Sequence, residues 1–250
     1  MTDELFSLGM LVVSGSPGDH ELFRQAASLS KVPIEFIEAD GTISAGRSIA
    51  AGVDLVVLDA TLGGETVTRV TSAARAAAKP AFTVLLSAPG IATPFQTDAL
   101  ATKPSNLEEA KRFIERSIRV RLPSRVLLVD DSATMRSIVR KILAATRFPL
   151  EVTEVERGSD AIELARENEF DIVFVDYNMP GFSGLETITE FRRAKQRPTF
   201  VLMTSTPDEA LAARARAQGA GFLKKPFFPA DIEAILCSFY GLRALNPKQA

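Results

Sequence analysis

Five residues in the C-terminal half could do chemistry together: the acid pair Asp130 and Asp131, then Asp176, Thr204 and Lys225. Three carboxylates gathered in one place repel one another and raise each other's pKa values, so such a group is stable mainly when a cation neutralises it. A hard divalent ion with oxygen ligands meets that need, and Mg²⁺ fits it best. Any one of these acids taken alone reads more readily as a helix cap or a solvated turn. The ordered set with a hydroxyl and a lysine resists that reading.

The elements that must position these residues follow from the apolar pattern. RVLLVD at 125–130 reads as a strand buried on both faces, and Met135, Ile138, Val139, Ile142 and Leu143 follow at helical spacing. A strand near 150–155, a helix near 158–168, the strand ending at Asp176, a helix over 184–195, the strand ending at Thr204, a helix over 207–217, the strand GFLKK and a helix marked by Ile232, Ile235, Leu236 and Phe239 complete the series. Five strands alternating with five helices predict an α/β doubly wound parallel sheet, with the site outside the carboxyl ends of its strands. The acids, Thr204 and Lys225 all fall at those ends.

The same plan recurs in the first half. VDLVVLD at 53–59 answers DIVFVD at 171–176, and Ser87 follows Asp59 by the same 28 residues that separate Thr204 from Asp176. TKP at 102–104 answers KKP at 224–226. The chain therefore divides into two units, 1–122 and 123–250, with no long linker between them. Lys103 follows Ser87 by 16 residues whereas Lys225 follows Thr204 by 21, and SAPGIATPFQT between the first pair holds two prolines. Proline inside a helix costs about 3 kcal/mol, so the fourth helix of the first unit is expected to be missing or shortened.

Composition excludes several classes of function. The chain has 250 residues, 29 basic and 31 acidic, with 12 and 14 of these before residue 123 and 17 of each after it, so neither half carries the positive excess that draws a protein to nucleic acid or an anionic membrane. One cysteine, Cys237, precludes an internal disulfide and a multi-cysteine metal site and suits a reducing compartment. The N-terminus lacks the basic start of a secretory signal, and no apolar run approaches the roughly 18 residues of a membrane span. A cytoplasmic protein is expected, with no nucleic acid and no membrane as partner.

With these residues in view, the second half resembles the receiver domain of response regulators over residues 124–243: the acid pair Asp130–Asp131, VDYNMPGFSG around Asp176, Thr204, and KPF at 225–227. The resemblance implies two flavodoxin-like (βα)5 domains. It also implies a two-component signalling role in which Asp176 takes a phosphoryl group from a histidine kinase or phosphotransfer protein. Asp131, the Asp176 carboxylate and the Asn178 main-chain carbonyl would hold Mg²⁺, with Asp130 assisting through water. Thr204 would donate its hydroxyl to a phosphoryl oxygen, and Lys225 would balance its charge. Of the neighbours Lys224 and Lys225 only one can face the site. The resemblance selects Lys225, implies a cis peptide before Pro226, and places Phe222 at the switch-aromatic position. Asn178 could equally be an ordinary turn residue, and Phe222 an ordinary core or interface aromatic.

Carried onto the first half, the pattern is incomplete. Asp59, Ser87 and Lys103 match, but Ser14 and Gly15 stand where the acid pair would be, so this half reads as a degenerate receiver with little to hold Mg²⁺. Asp19 is read as opening the first helix rather than as a ligand. His20 is read as a surface residue and Cys237 as a small core residue. The basic stretch Lys111, Arg112, Arg116, Arg119, Arg121 and Arg125 reads as a solvated helix face, with an anionic ligand such as a nucleotide as the alternative.

The expected function is that of a response regulator that modifies only itself and turns over no separate substrate. With no effector domain foreseen after Tyr240, it would signal through contacts with a downstream protein target, with a homodimer among the arrangements open to it, or drain phosphoryl groups as a sink. The alternative is a phosphorylation-independent scaffold built from receiver-like domains. An aspartyl phosphatase usually places a second acid two residues after its nucleophile, and Asn178 occupies that place.

Overall fold

The computed structural model of the chain describes residues 7–88, 96–206 and 208–245. Contacts within the chain separate two units, one of residues 1–122 with 237–250 and one of residues 123–236. Among the described residues no helix is long and apolar enough to cross a membrane.

The first unit runs β1 Leu8–Val13, α1 Pro17–Ser28, β2 Ile34–Ala39, α2 Thr42–Ala51, β3 Leu55–Asp59, a short 3-10 turn Ala60–Leu62, α3 Gly64–Ala76, β4 Phe82–Ser87, β5 Ala99–Thr102 and α4 Leu107–Arg119. Its strands form one parallel sheet in the order β2-β1-β3-β4-β5. The expectation of a missing fourth helix falls on residues 89–95, outside the described residues. Late in the chain, Arg243 and Leu100 exchange both backbone hydrogen bonds, each 2.8 Å, as a single antiparallel bridge on β5.

The second unit repeats the plan with β6 Ser124–Val129, α5 Ala133–Ala144, β7 Leu150–Val155, α6 Gly158–Glu167, β8 Ile172–Asp176, α7 Gly184–Arg193, β9 Thr199–Thr204, α8 Glu209–Ala217, β10 Gly221–Lys224 and α9 Pro229–Phe239, the last of which runs past the unit boundary at Leu236. Strand order is β7-β6-β8-β9-β10, again all parallel. Both orders are the flavodoxin-like 2-1-3-4-5 arrangement expected from the sequence, whose switch point lies between the first and third strands of each unit.

Local chemistry explains where the elements start. The side chains of Ser16, Asn106, Ser132 and Asp208 each accept a hydrogen bond from a backbone N–H at the head of α1, α4, α5 and α8. Ser183 and Glu186 cap α7 reciprocally. Central strands are apolar throughout because helices cover both faces: Val126–Val129 and Ile172–Val175 are entirely buried. Leu127, Val129, Val173 and Val175 meet Ile188, Phe191, Phe200 and Leu202 in one core. Cys237 is fully buried, as its spacing predicts.

Candidate functional site

The carboxyl ends of β6, β8, β9 and β10 bring the predicted residues of the second unit together. Asp130 follows β6 and is almost fully buried; its Oδ1 accepts from Ser132 N at 2.9 Å, and its backbone carbonyl accepts from Arg136 Nη1 at 2.7 Å. Asp176 ends β8, with Oδ2 accepting from the backbone N–H of Asn178 at 3.1 Å. Lys225 Nζ donates to Asp130 Oδ2 at 2.7 Å and to Asp176 Oδ1 at 2.8 Å. Asp131, the exposed member of the group, presents a carboxylate oxygen that lies with one from Asp130 and one from Asp176 within 4.8 Å of one another.

Thr204 ends β9 fully buried, its Oγ1 accepting from Thr206 N at 3.2 Å. Lys224 is exposed while Lys225 turns inward, as alternation requires, and the Lys225–Pro226 peptide is cis. Phe222 is partly buried against the core beneath the site.

The loop from Asp176 to α7 leaves no spare room. A Cβ added at Gly184 would lie 2.5 Å from the Asp176 carbonyl oxygen and 2.7 Å from Leu202 Cδ1, and Gly184 N donates to Tyr177 O at 3.1 Å. Gly184→Ala is therefore expected to displace the backbone of Asp176 and to destabilise the second unit by more than the about 1–3 kcal/mol usual for overpacking, since the blocking atom is main chain. Urea unfolding of the variant with an unchanged midpoint would contradict this.

Burial pushes the Asp176 carboxyl above the usual carboxylate range against the pull of the Lys225 hydrogen bond and charge, and the neighbouring Asp130 charge adds to the rise. For Lys225, burial alone would lower the ammonium's pKa, but its bonds to Asp130 and Asp176 outweigh that and raise it. One ammonium thus faces three carboxylates. This surplus of hard oxygen donors is the environment a divalent cation stabilises, so the residues present fit Mg²⁺.

In the first unit the matched positions also meet, with a different outcome. Lys103 Nζ donates to Asp59 Oδ2 at 2.5 Å and to Asp19 Oδ2 at 2.7 Å. Ser14 Oγ donates to the same Asp19 oxygen at 2.6 Å. Ser87 is buried, and its hydroxyl accepts from Arg243 Nη2 at 3.1 Å. Reading Asp19 only as an opener of α1 was incomplete: Ser16 supplies the cap, and Asp19, in the first turn, reaches the site. His20, expected at the surface, instead has a side chain only 14% exposed and a buried Nε2 without a hydrogen-bond partner.

Burial would raise the Asp59 carboxyl, but hydrogen bonds from Lys103 and from Thr61 N, with the Lys103 charge, hold it below the usual carboxylate range. Lys103, despite a burial effect that lowers it, is raised by Asp19 and Asp59. A depressed carboxyl contributes stability that is fully present above its unfolded value, near about 4, and is lost as pH falls through its folded value. A raised lysine contributes below about 10.4 and loses that contribution as pH rises through its folded value. Asp59→Asn should therefore weaken hydrogen-exchange protection of β3 and β4 at neutral pH. The gap to wild type should narrow as pH falls below the unfolded value of about 4 and through the lowered folded value; a gap that does not narrow on acidification would contradict the assignment.

Comparison with known proteins agrees with this geometry. The family described as the response regulator receiver domain matches residues 126–236. Response regulator UvrY of Escherichia coli (strain K12) is 33% identical over 116 residues, which are 46% of this chain and 53% of UvrY, so the chain spans about half the length of that relative. Chemotaxis protein CheY-3 of Vibrio cholerae is 30% identical over 112 residues, 44% of this chain and 85% of CheY-3. Across both units, the crystal structure of a protein described as a two-component system response regulator/GGDEF domain protein aligns with a TM-score of 0.58 at 22% identity, covering 94% of this chain and 98% of the other, which speaks to the fold. The acid cluster, Thr204 and Lys225 all fall inside the matched segment, and the chain belongs to the response regulator receiver family.

Proposed function

We propose that the second unit is a phosphorylation switch in which Asp176 accepts a phosphoryl group from a histidine kinase or a phosphotransfer protein. The observation that carries this reading is Lys225 bridging Asp130 and Asp176 beside the exposed carboxylate of Asp131. An Asp176 carboxylate oxygen attacks phosphorus while the bond from phosphorus to the donor's nitrogen breaks, leaving an acyl phosphate on the aspartate. Lys225 then exchanges a carboxylate partner for a phosphoryl oxygen, and the Thr204 hydroxyl donates to another. Drawn toward the phosphate, Thr204 vacates space that Phe222 fills, which changes the surface presented to a downstream protein.

Asp131, Asp176 and the Asn178 main-chain carbonyl are the groups that would hold Mg²⁺, with Asp130 assisting through water. Bound there, the ion supplies positive charge to the phosphoryl oxygens. On this reading the chain modifies and clears only its own aspartate, and acts through protein contacts or as a sink for phosphoryl groups. A cytoplasmic setting, where two-component kinases present their phosphohistidine, suits this role.

Incubation of the full chain with acetyl phosphate tests the reading. Labelling is expected with Mg²⁺ and should fall at least about tenfold in a chelator. Equal labelling in both conditions would overturn the metal-dependent mechanism.

A second reading applies to the first unit, whose Lys103 is already shared between Asp19 and Asp59. There the unit is a phosphate-independent scaffold, and partner binding through it would survive Asp176→Ala unchanged.

A further inference from the structure

The six cations read from the sequence as one solvated stretch have different fates. Arg119 lies over the Phe239 ring at 4.7 Å, Arg121 Nη2 is 3.8 Å from Asp54 Oδ1, and Arg125 Nη2 donates to Asn168 Oδ1 at 3.0 Å. Arg112 and Arg116, one turn apart on α4, have no carboxylate within ion-pairing distance among the described residues. Arg112 makes a single hydrogen bond, from Nε to the Glu108 carbonyl at 3.3 Å.

Both arginines line a cavity of about 290 Å³ within the first unit. Its apolar wall includes Phe113 and Leu242. The lining's carboxylate, Glu109, accepts from Ser105 N and Ser105 Oγ at 2.9 Å each and feels the Arg112 charge without forming an ion pair with it. Arg116 is also seated: Gly241, at φ +69°, lets the side chain lie against the chain, where a Cβ would come within 2.6 Å of Arg116 Cδ and 3.0 Å of its Nε.

Two neighbouring arginines in no ion pair among the described residues, with one carboxylate in the lining against their two charges and an apolar wall beside them, are matched to a compact dianion carrying a small apolar or aromatic body. The volume lies just below the about 300 Å³ at which drug-sized ligand pockets begin, so the occupant must be small. We propose that this cavity binds a small phosphomonoester, its phosphate held by Arg112 and Arg116 and its apolar body against Phe113 and Leu242. The site is separate from the acid cluster of the second unit and does not depend on phosphorylation of Asp176.

Phenyl phosphate is a suitable probe, titrated into the full chain in chelator so that no metal contributes, and followed by calorimetry and by NMR shifts. Saturable binding is expected, with the largest shifts in residues 101–116 and 241–242, and inorganic phosphate should bind more weakly. Arg112→Ala/Arg116→Ala should weaken binding at least about tenfold, whereas Arg69→Ala, which removes one exposed cation on α3, should leave it unchanged. Absence of saturation at 10 mM phenyl phosphate, or equal affinity in the double variant with its fold intact by circular dichroism, would overturn the proposal.

Discussion

Asp176→Asn should fold normally and take up no phosphoryl group. Asparagine keeps the shape of the side chain and can still meet the backbone N–H of Asn178, so the turn after β8 has no reason to rearrange. What is lost is the anionic nucleophile, and the neighbouring acids have other roles on this reading: Asp130 is buried under Lys225 and Ser132, and Asp131, exposed beside them, is a group that would hold the cation. Because burial and Asp130 already push the Asp176 carboxyl up, removing its charge relieves a cost, and the thermal midpoint should stay level or rise. Radiolabel from acetyl phosphate should fall to background in this variant and persist in Asp59→Asn. Undiminished labelling of Asp176→Asn would remove the residue from its assigned role.

Lys225→Ala should be the most damaging single change to stability at the site. The ammonium is 14% exposed and serves two acids at once, so its removal leaves Asp130 and Asp176 facing each other with no cation between them. Stripping one partner from a buried ion pair costs about 3–5 kcal/mol, and the opening beside Asp131 to water places this case near the lower bound. Added Mg²⁺ should recover part of the loss, because a cation held by the same acids replaces the missing charge. Urea unfolding with and without Mg²⁺ measures both effects. A midpoint unaffected by the substitution, or a loss that Mg²⁺ does not reduce, would count against the electrostatic account of the cluster.

Much of this arrangement could be read from the residues. DIVFVD and TFVLMT are short apolar runs ending in a polar residue, and a parallel sheet with helices on both faces is the fold that buries such runs while leaving their last residue at a common rim. The helices expected near 158–168, 184–195 and 207–217 form over Gly158–Glu167, Gly184–Arg193 and Glu209–Ala217. The selection of Lys225 over Lys224 holds for the reason given by alternation, with Lys224 left in solvent.

Asp19 was legible in principle. Side chains on a helix lean toward its N-terminus, so a carboxylate in the first turn of α1 overhangs the end of β1, where the first unit has Ser14 in place of an acid. Counting positions along the chain hides that lean. The division of labour among the basic residues 111–125 was not legible, because periodicity identifies a helix face but not which of its charges find partners. Nor was the bridge between Arg243 and Leu100, since one antiparallel pair leaves no alternating pattern to detect.

On the proposed function, one aspartate of the two candidates, Asp176, takes the phosphoryl group. Labelling the full chain with acetyl phosphate and Mg²⁺, trapping the acyl phosphate by borohydride reduction to homoserine, and locating that residue by peptide mass spectrometry tests it directly. Homoserine at position 176, with aspartate intact at 59, is the predicted result; homoserine at 59, or a trapped product at neither position despite uptake of label, would contradict the account.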